Sequence, residues 1–243
     1  MFGDVDKPPK KATGREVVEY IVEGAVGMVP VVGNPMAVAF AVAMGWTYNR
    51  RMRDWLEELA EAVSELQEER TTPLTFEELA EDDRFVDAVV AATRAAQATH
   101  AEEKLKALRN GVLSTLGPDA PTLDEQARFF RLVDQFTPAH LRLLAFLDDP
   151  GAAFDRASIE RPDIYMGGRG DLIEKGLPEF LDRRDWYDLL DRDLGAASLT
   201  SHGGLHVMQT GPSLWQPSTS GLGKRFLAFI SAPLARKGGD SED

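Results

Sequence analysis

Two histidines four residues apart, His202 and His206, are the most suggestive pair of chemical side chains in this sequence. On a helix, residues four apart share a face and could chelate a metal ion. The intervening Gly203 and Gly204 disfavour a helix here, and no third ligand is evident nearby. The chain contains no cysteine, which removes disulfides, thiolate metal sites and thiol nucleophiles. We therefore predict neither a metal nor any other cofactor.

Other candidate chemical groups also favour structural roles. His100 and His140 lie on expected helices beside apolar residues, where a partly buried or capping histidine is more common than a general base. The glycines at 167, 168 and 170 do not match a dinucleotide-binding fingerprint, because no strand precedes them at the required spacing. No Ser-His-Asp order, nucleophile elbow or Walker motif is present. The sequence therefore predicts that the protein is not an enzyme.

One group of carboxylates stands out in the C-terminal third. Four aspartates cluster on one expected helix: Asp185, Asp188, Asp191 and Asp193. A solvated helix face is the simplest interpretation, with a carboxylate metal site as the lesser alternative. Upstream, Arg169-Gly170-Asp171 matches a cell-adhesion tripeptide. Since we predict an intracellular chain with no signal peptide, we interpret that match as chance.

The net charge of −13 comes from 27 basic and 40 acidic residues. A surface this acidic repels phosphate backbones, which argues against nucleic acid as a partner. The acidity falls mainly on residues 51–110, whereas residues 1–50 are neutral. Hydrophobic residues make up 43% of the chain, enough for a folded core.

Capping signals predict a mainly α-helical protein. A capping box at Thr13 and Glu16 opens a first helix, which must end near Pro30. Asn34 then caps a second, long helix that extends from 35 to about 69. Further helices are predicted to begin near Thr75, Asp82 or Asp83, Thr99, Thr122 and Thr137.

The most unusual segment is the uncharged stretch 24–49. Its internal turn sequence, with prolines at 30 and 35, makes one straight membrane span a poor fit and predicts a hydrophobic helical hairpin. The longer arm, 36–46, spans about 16 Å, roughly half of a ~30 Å hydrocarbon core. Burial inside a soluble helical bundle and insertion into a membrane both fit arms this short.

Membrane insertion or self-association would use apolar residues of this hairpin: Val31, Val32, Met36, Val38, Phe40, Val42, Met44 and Trp46. A basic flank of Arg50, Arg51 and Arg53 suits anionic lipid headgroups. Small residues at 37, 41 and 45 permit close helix approach, and a heptad seam over 52–66 offers a partner-helix face. We therefore predict a homo-oligomer whose partners are membrane lipids or a protein.

The C-terminal third differs from the rest of the chain in its predicted order of helices and strands. A helix capped by Asp185 and ended by Gly195 is followed by two short strands, 197–200 and 205–209, and a final helix over about 222–230. This order outlines a small winged-helix-like α+β module. Since its best helix presents aspartates rather than basic side chains, we interpret it as a protein-interaction or oligomerisation element.

The predicted organisation has three parts. Residues 1–12 form a flexible N-terminus, and residues 13–150 form a helical bundle that includes the hairpin. Residues 151–243 form the winged-helix-like module, ending in a disordered tail at 234–243.

Several stretches resemble a bacterial family. The Lys-Leu-Lys-Ala-Leu-Arg-Asn sequence at 104–110 and the stretch at 130–147 are similar to those of helical proteins related to the abortive-infection alpha family. The apolar Gly-Pro segment ahead of a long acidic helix, and the sequence at 218–230, are similar too. The resemblance covers most of 20–150 and part of the C-terminus, and it rests on packing and capping residues. It implies a bacterial accessory or phage-defence role and carries over no functional residues.

Together these patterns predict a membrane-associating helical effector or accessory protein in bacterial antiphage defence. It would be cytoplasmic and associated with the inner face of the cell membrane. The alternative is a soluble winged-helix DNA-associated regulator, which would depend on basic side chains such as Lys224 and Arg225.

Overall fold

The computed structural model describes residues 35–68 and 73–231, with the helical backbone alone at 35–43. Within these ranges the protein is mainly helical, with 70% helix in eleven α-helices and one small antiparallel sheet of two strands. This confirms the predicted mainly α class. Most of the turn and the first arm of the expected hairpin lie outside the described residues, as do the N-terminus and the tail.

The chain divides into two compact units, residues 1–61 and 62–243. Helix α1, Pro35–Glu68, has 34 residues and matches the long helix predicted from the sequence. Along its second half, Trp55, Leu59 and Val63 are buried at a spacing of four residues. This stripe overlaps the predicted heptad seam at Leu59 and Val63, whereas Met52, Leu56 and Leu66 are only half-buried.

Short helices make up most of the second unit. They are α2 Phe76–Glu81, α3 Asp83–Gln97, α4 Glu102–Ser114, α5 Leu123–Gln135, α6 Pro138–Asp148, α7 Pro150–Ala157, α8 Arg169–Gly176, α9 Arg184–Ala196, α10 Gly211–Leu214 and α11 Gly221–Ile230. A 3₁₀ turn, Pro178–Phe180, separates α8 from α9. Helix α4 packs against α3, α5 and α11, and α9 packs against α6.

Local capping explains where several of these helices begin. The Thr75 hydroxyl accepts from the Glu78 N–H at 3.2 Å, and the Glu78 carboxylate accepts from the Thr75 N–H at 2.8 Å. Thr122 forms the same capping box at the start of α5. Both boxes confirm the sequence prediction, because the donor and acceptor lie within one helical turn of each other.

An aromatic cluster forms the core of the second unit. Phe129 of α5 lies 5.5 Å from Phe226 and 5.3 Å from Phe229, measured between ring centroids. Gly111 of α4 faces this cluster, where an added Cβ would lie 2.8 Å from the Phe229 ring. The last helix, α11, thus closes the core and begins close to the predicted position.

The strand positions were predicted wrongly. Strand β1, Met166–Gly167, pairs with β2, Gln209–Thr210, so two α-helices and a 3₁₀ turn separate the partners in sequence. In the predicted strand 197–200, Thr200 forms only a single bridge, to Thr219. Strand pairing depends on which backbone groups tertiary packing brings together, and local propensity does not report that.

Two boundaries of α9 also differ from the prediction. The helix begins at Arg184, and the Arg183 carbonyl accepts from the Trp186 and Tyr187 N–H groups. Asp185 therefore lies in the first turn, where a carboxylate favours the helix dipole without capping the end. Gly195 does not end the helix, which extends to Ala196, and the residue with left-handed backbone lies beyond it at Ser198.

Candidate functional site

The strongest candidate surface lies on the first unit's part of α1. Met44, Trp46 and Tyr48 expose 54%, 66% and 44% of their surfaces. Residues two apart on a helix point in nearly opposite directions, at about 200°. Met44 and Tyr48 therefore share one side, whereas Trp46 lies on the other. The helix presents large apolar side chains on both sides at this level.

Basic side chains follow these apolar residues at once. The Arg50 guanidinium lies over the Trp46 ring at 5.7 Å, one helical turn away. Arg50 and Arg51 are exposed, and Arg53 is half-buried. Within the described residues, neither Arg50 nor Arg51 forms an ion pair with a carboxylate. Their positive charge is therefore available to an external anion.

The charge then reverses along the same helix. Five exposed glutamates occupy its second half: Glu57, Glu58, Glu61, Glu65 and Glu68. Residues 35–49 carry no charge at all. Helix α1 is thus divided into an apolar segment, a short basic segment and an acidic segment, and these three favour different surroundings.

Only some of the predicted apolar residues can be placed. Val31 and Val32 lie outside the described residues. Met36, Val38, Phe40 and Val42 fall on the described helical backbone of α1, and Met44 and Trp46 are exposed on it. Among the residues that the structure describes, no helix combines the length and the apolar character needed to cross a bilayer.

The aspartates of α9 have partners that the sequence prediction missed. His140 Nε2 lies 3.2 Å from an Asp193 oxygen, and His202 Nε2 lies 2.9 Å from an Asp191 oxygen. A third contact joins His206 Nε2 to Asp188 at 2.7 Å. The predicted solvated face is therefore a set of three histidine–aspartate contacts, and only Asp185 of the four aspartates is fully exposed.

Two of these histidines also bond to the backbone near them. The other ring nitrogen of His140 accepts from the Thr137 N–H, and that of His202 accepts from the Gly204 N–H, both at 3.1 Å. Both ring nitrogens of His140 are therefore hydrogen-bonded, whereas the buried His202 Nε2 lies close to Asp191 without forming a hydrogen bond in the described structure. Burial lowers the pKa of His140, although Asp193 opposes that shift. In the described part of the chain, no group of His, Asp and Glu residues could hold a metal ion.

The Arg169-Gly170-Asp171 tripeptide also has a structural explanation. The buried Arg169 guanidinium donates to the carbonyl oxygens of Ser213, Leu214 and Gln216 at 3.0–3.2 Å. Asp171 accepts from the Gly168 N–H at 3.0 Å and caps α8. This tripeptide therefore fastens α8 to helix α10 and to Gln216 just beyond it.

The comparisons with known proteins add no relative. No family model, curated protein or solved structure matches this chain. The resemblance to abortive-infection alpha proteins therefore stays a prediction. A proposal about function therefore rests on the side chains of the described helices and strands.

Proposed function

We propose that this protein is a membrane-associating helical effector or accessory protein that attaches to lipid through the first half of α1. The observation that carries this proposal is the exposed Trp46, which lies at the same level of the helix as Tyr48 and one turn before Arg50. Tryptophan and tyrosine favour the boundary between headgroups and acyl chains. Arginines next to that boundary attract anionic lipids, each by roughly 1 kcal/mol.

The arrangement around Trp46 supports lipid better than a single partner helix. A partner helix covers one side of α1, whereas Met44 and Trp46 point to different sides. A lipid surface surrounds an inserted segment and covers both. The uncharged residues 35–49 extend about 22 Å at 1.5 Å per residue, so this segment enters a ~30 Å core without crossing it.

The acidic half of α1 limits how far the helix enters. Exposed glutamates at 57, 58 and 61 would have to leave water and approach anionic headgroups, and both changes are unfavourable. Arginines attract the surface and glutamates repel it within two to three turns of one another. We infer an oriented attachment to an anionic leaflet, such as the inner face of the cell membrane, in which the acidic half of α1 stays outside the lipid.

The role in bacterial antiphage defence rests on the family resemblance alone. That resemblance concerns packing and capping residues, so it supports a cellular setting and no mechanism. Assembly as a homo-oligomer and the winged-helix-like character of residues 151–243 also remain predictions.

Vesicle flotation tests the attachment, and the chain provides its own control. Trp46→Ala removes the proposed anchor. Trp186→Ala removes another tryptophan that lies beneath an arginine, Arg183, at 5.6 Å on α9. We expect Trp46→Ala to reduce co-flotation with phosphatidylglycerol-containing vesicles by about tenfold, and Trp186→Ala to leave it unchanged. Equal losses in both variants, or no flotation of the unmodified protein, would reject the proposal.

The alternative, a DNA-associated regulator, has weaker support. Of its two predicted basic residues, Arg225 is already paired with Glu125 at 2.9 Å, and only Lys224 has no ion pair in the described structure. We expect no binding of duplex DNA at physiological salt. Sub-micromolar binding with a steep salt dependence in a mobility-shift titration, combined with a failed flotation, would favour the regulator instead.

A further inference from the structure

A cavity of about 590 Å³ lies in the second unit between the segment that leads into β1 and helix α8. Its apolar lining includes Tyr165, Met166 and Leu181, which expose 89%, 52% and 56% of their surfaces. The Tyr165 carbonyl accepts from the Gly211 N–H at 2.9 Å, which ties this segment to the start of α10. The large aromatic ring of Tyr165 lies in water, which is costly unless something covers the ring.

The polar lining of this cavity, which we call the Tyr165 pocket, is mainly acidic. Asp163, Asp171 and Glu174 contribute three carboxylates against the single ammonium of Lys175. Asp171 uses one oxygen to cap α8, and Glu174 uses one oxygen to accept from the Tyr187 hydroxyl at 2.9 Å. These bonds orient both carboxylates, and each retains a second oxygen. None of the three carboxylates forms an ion pair in the described structure.

We propose that the Tyr165 pocket is a docking site for a basic segment of a protein partner, in which an arginine or lysine lies beside an apolar residue. The cation would enter between the carboxylates and lie against the Tyr165 ring. The apolar neighbour would cover Met166 and Leu181. The carboxylates require a positively charged side chain from the partner. The exposed apolar lining requires an apolar side chain next to that charge.

A small free cation fits this pocket less well than a peptide does. An isolated amine satisfies the carboxylates and leaves the apolar lining in water. A peptide brings both kinds of side chain at neighbouring positions, and tyrosine is enriched at the centres of protein interfaces. This proposal is independent of membrane attachment, because it uses residues of the second unit only.

Fluorescence anisotropy with a labelled peptide tests the proposal. The probe alternates arginine with leucine, and two control peptides replace every arginine with glutamate or every leucine with serine. We expect saturable binding of the first peptide, weakened by salt, and much weaker binding of both controls.

Matched variants locate the binding site. We expect Tyr165→Ala to raise the Kd by about tenfold and Asp163→Asn to raise it by about threefold. Val207→Ala and Glu160→Gln remove an exposed apolar side chain and an exposed charge outside the pocket lining, and should leave the Kd unchanged. All four side chains are exposed, so thermal melting should show the same stability in each variant.

Four results would overturn the proposal, and three of them reject any specific binding at the pocket. They are no saturable binding of the arginine–leucine peptide, equal binding of its glutamate counterpart, and equal affinity in the pocket and control variants. If the arginine–serine peptide binds as well as the arginine–leucine peptide, the pocket is a simple cation site, and the protein partner is rejected.

Discussion

Three tryptophans among the described residues lie beneath arginine side chains, and two of them, Trp46 and Trp186, differ clearly in their surroundings. Trp46 on α1 lies 5.7 Å from Arg50, and Trp186 on α9 lies 5.6 Å from Arg183. Each site also includes a second, adjacent arginine. On α9 that neighbour, Arg184, lies 3.7 Å from Asp188, whereas Arg51 on α1 has no carboxylate partner in the described structure. The same local pair is therefore partly neutralised in one region and open to an external anion in the other.

Packing density separates the two regions as well. Among the described residues, and apart from the helix's own backbone and the chain neighbours of Gly45, no atom lies within 4 Å of the position that a Cβ would occupy at Gly45 on α1, whereas a Cβ at Gly111 on α4 would lie 2.8 Å from Phe229. The rings close to Gly111 leave no room for a larger residue there, whereas the described residues leave room for one at Gly45. The comparison teaches that function should be sought where side chains lack internal partners and have space around them.

The largest expected effect tests this difference in packing. Gly111→Leu should lower the free energy of unfolding by about 3 kcal/mol, because the new side chain meets Phe229 and Phe130. Gly45→Leu should change it by no more than about 1 kcal/mol, in the stabilising direction, since leucine favours helix over glycine. Urea denaturation of both variants measures the contrast. Similar destabilisation by both substitutions would show that α1 is as closely packed as the core.

A second prediction tests the difference in charge. Neutralising both arginines in Arg50→Gln/Arg51→Gln should weaken association with phosphatidylglycerol vesicles by about thirtyfold, at roughly 1 kcal/mol per arginine. The matched change Arg183→Gln/Arg184→Gln removes the same charge from α9 and should have little effect. The comparison fails if the two double variants lose vesicle binding equally.

The smallest expected effect concerns pH and the partnered histidines of the second unit. Burial lowers the pKa of His140 below its ordinary value of 6.5, and the positive charge of Lys104 lowers it further. The carboxylate of Asp193 acts in the opposite direction and raises this pKa. The unfolded chain then binds more protons than the folded one as pH falls below 6.5, so stability decreases in that range. One such proton contributes a slope of at most about 1.4 kcal/mol per pH unit.

Urea midpoints at about pH 7.5 and about pH 5.5, on either side of the ordinary histidine pKa, measure this effect. His140→Gln should reduce the loss of stability at the lower pH, whereas His100→Gln, at an exposed position, should not. An unchanged pH dependence in His140→Gln would mean that burial of this ring does not shape the stability curve.

Much of the helical structure could be predicted from the sequence because its causes are local. The long helix Pro35–Glu68 follows from an uncharged and then amphipathic sequence without internal proline. The capping boxes at Thr75 and Thr122 depend on groups three residues apart. The exposed apolar and basic residues of α1 were also identified from composition, although their degree of exposure was not.

The sequence by itself therefore determined most of the longer helices, the capping boxes at Thr75 and Thr122, and the charge segments of α1. The tertiary structure alone decided that the aspartates of α9 meet three histidines, that β1 pairs with β2, and that Arg169 holds a distant loop. It also placed Tyr165 beside three carboxylates. The physical reason is the distance along the chain over which each interaction acts. Capping and helix periodicity act within a few residues. Ion pairs, strand pairing and pockets join groups whose separation is set only when the whole chain packs.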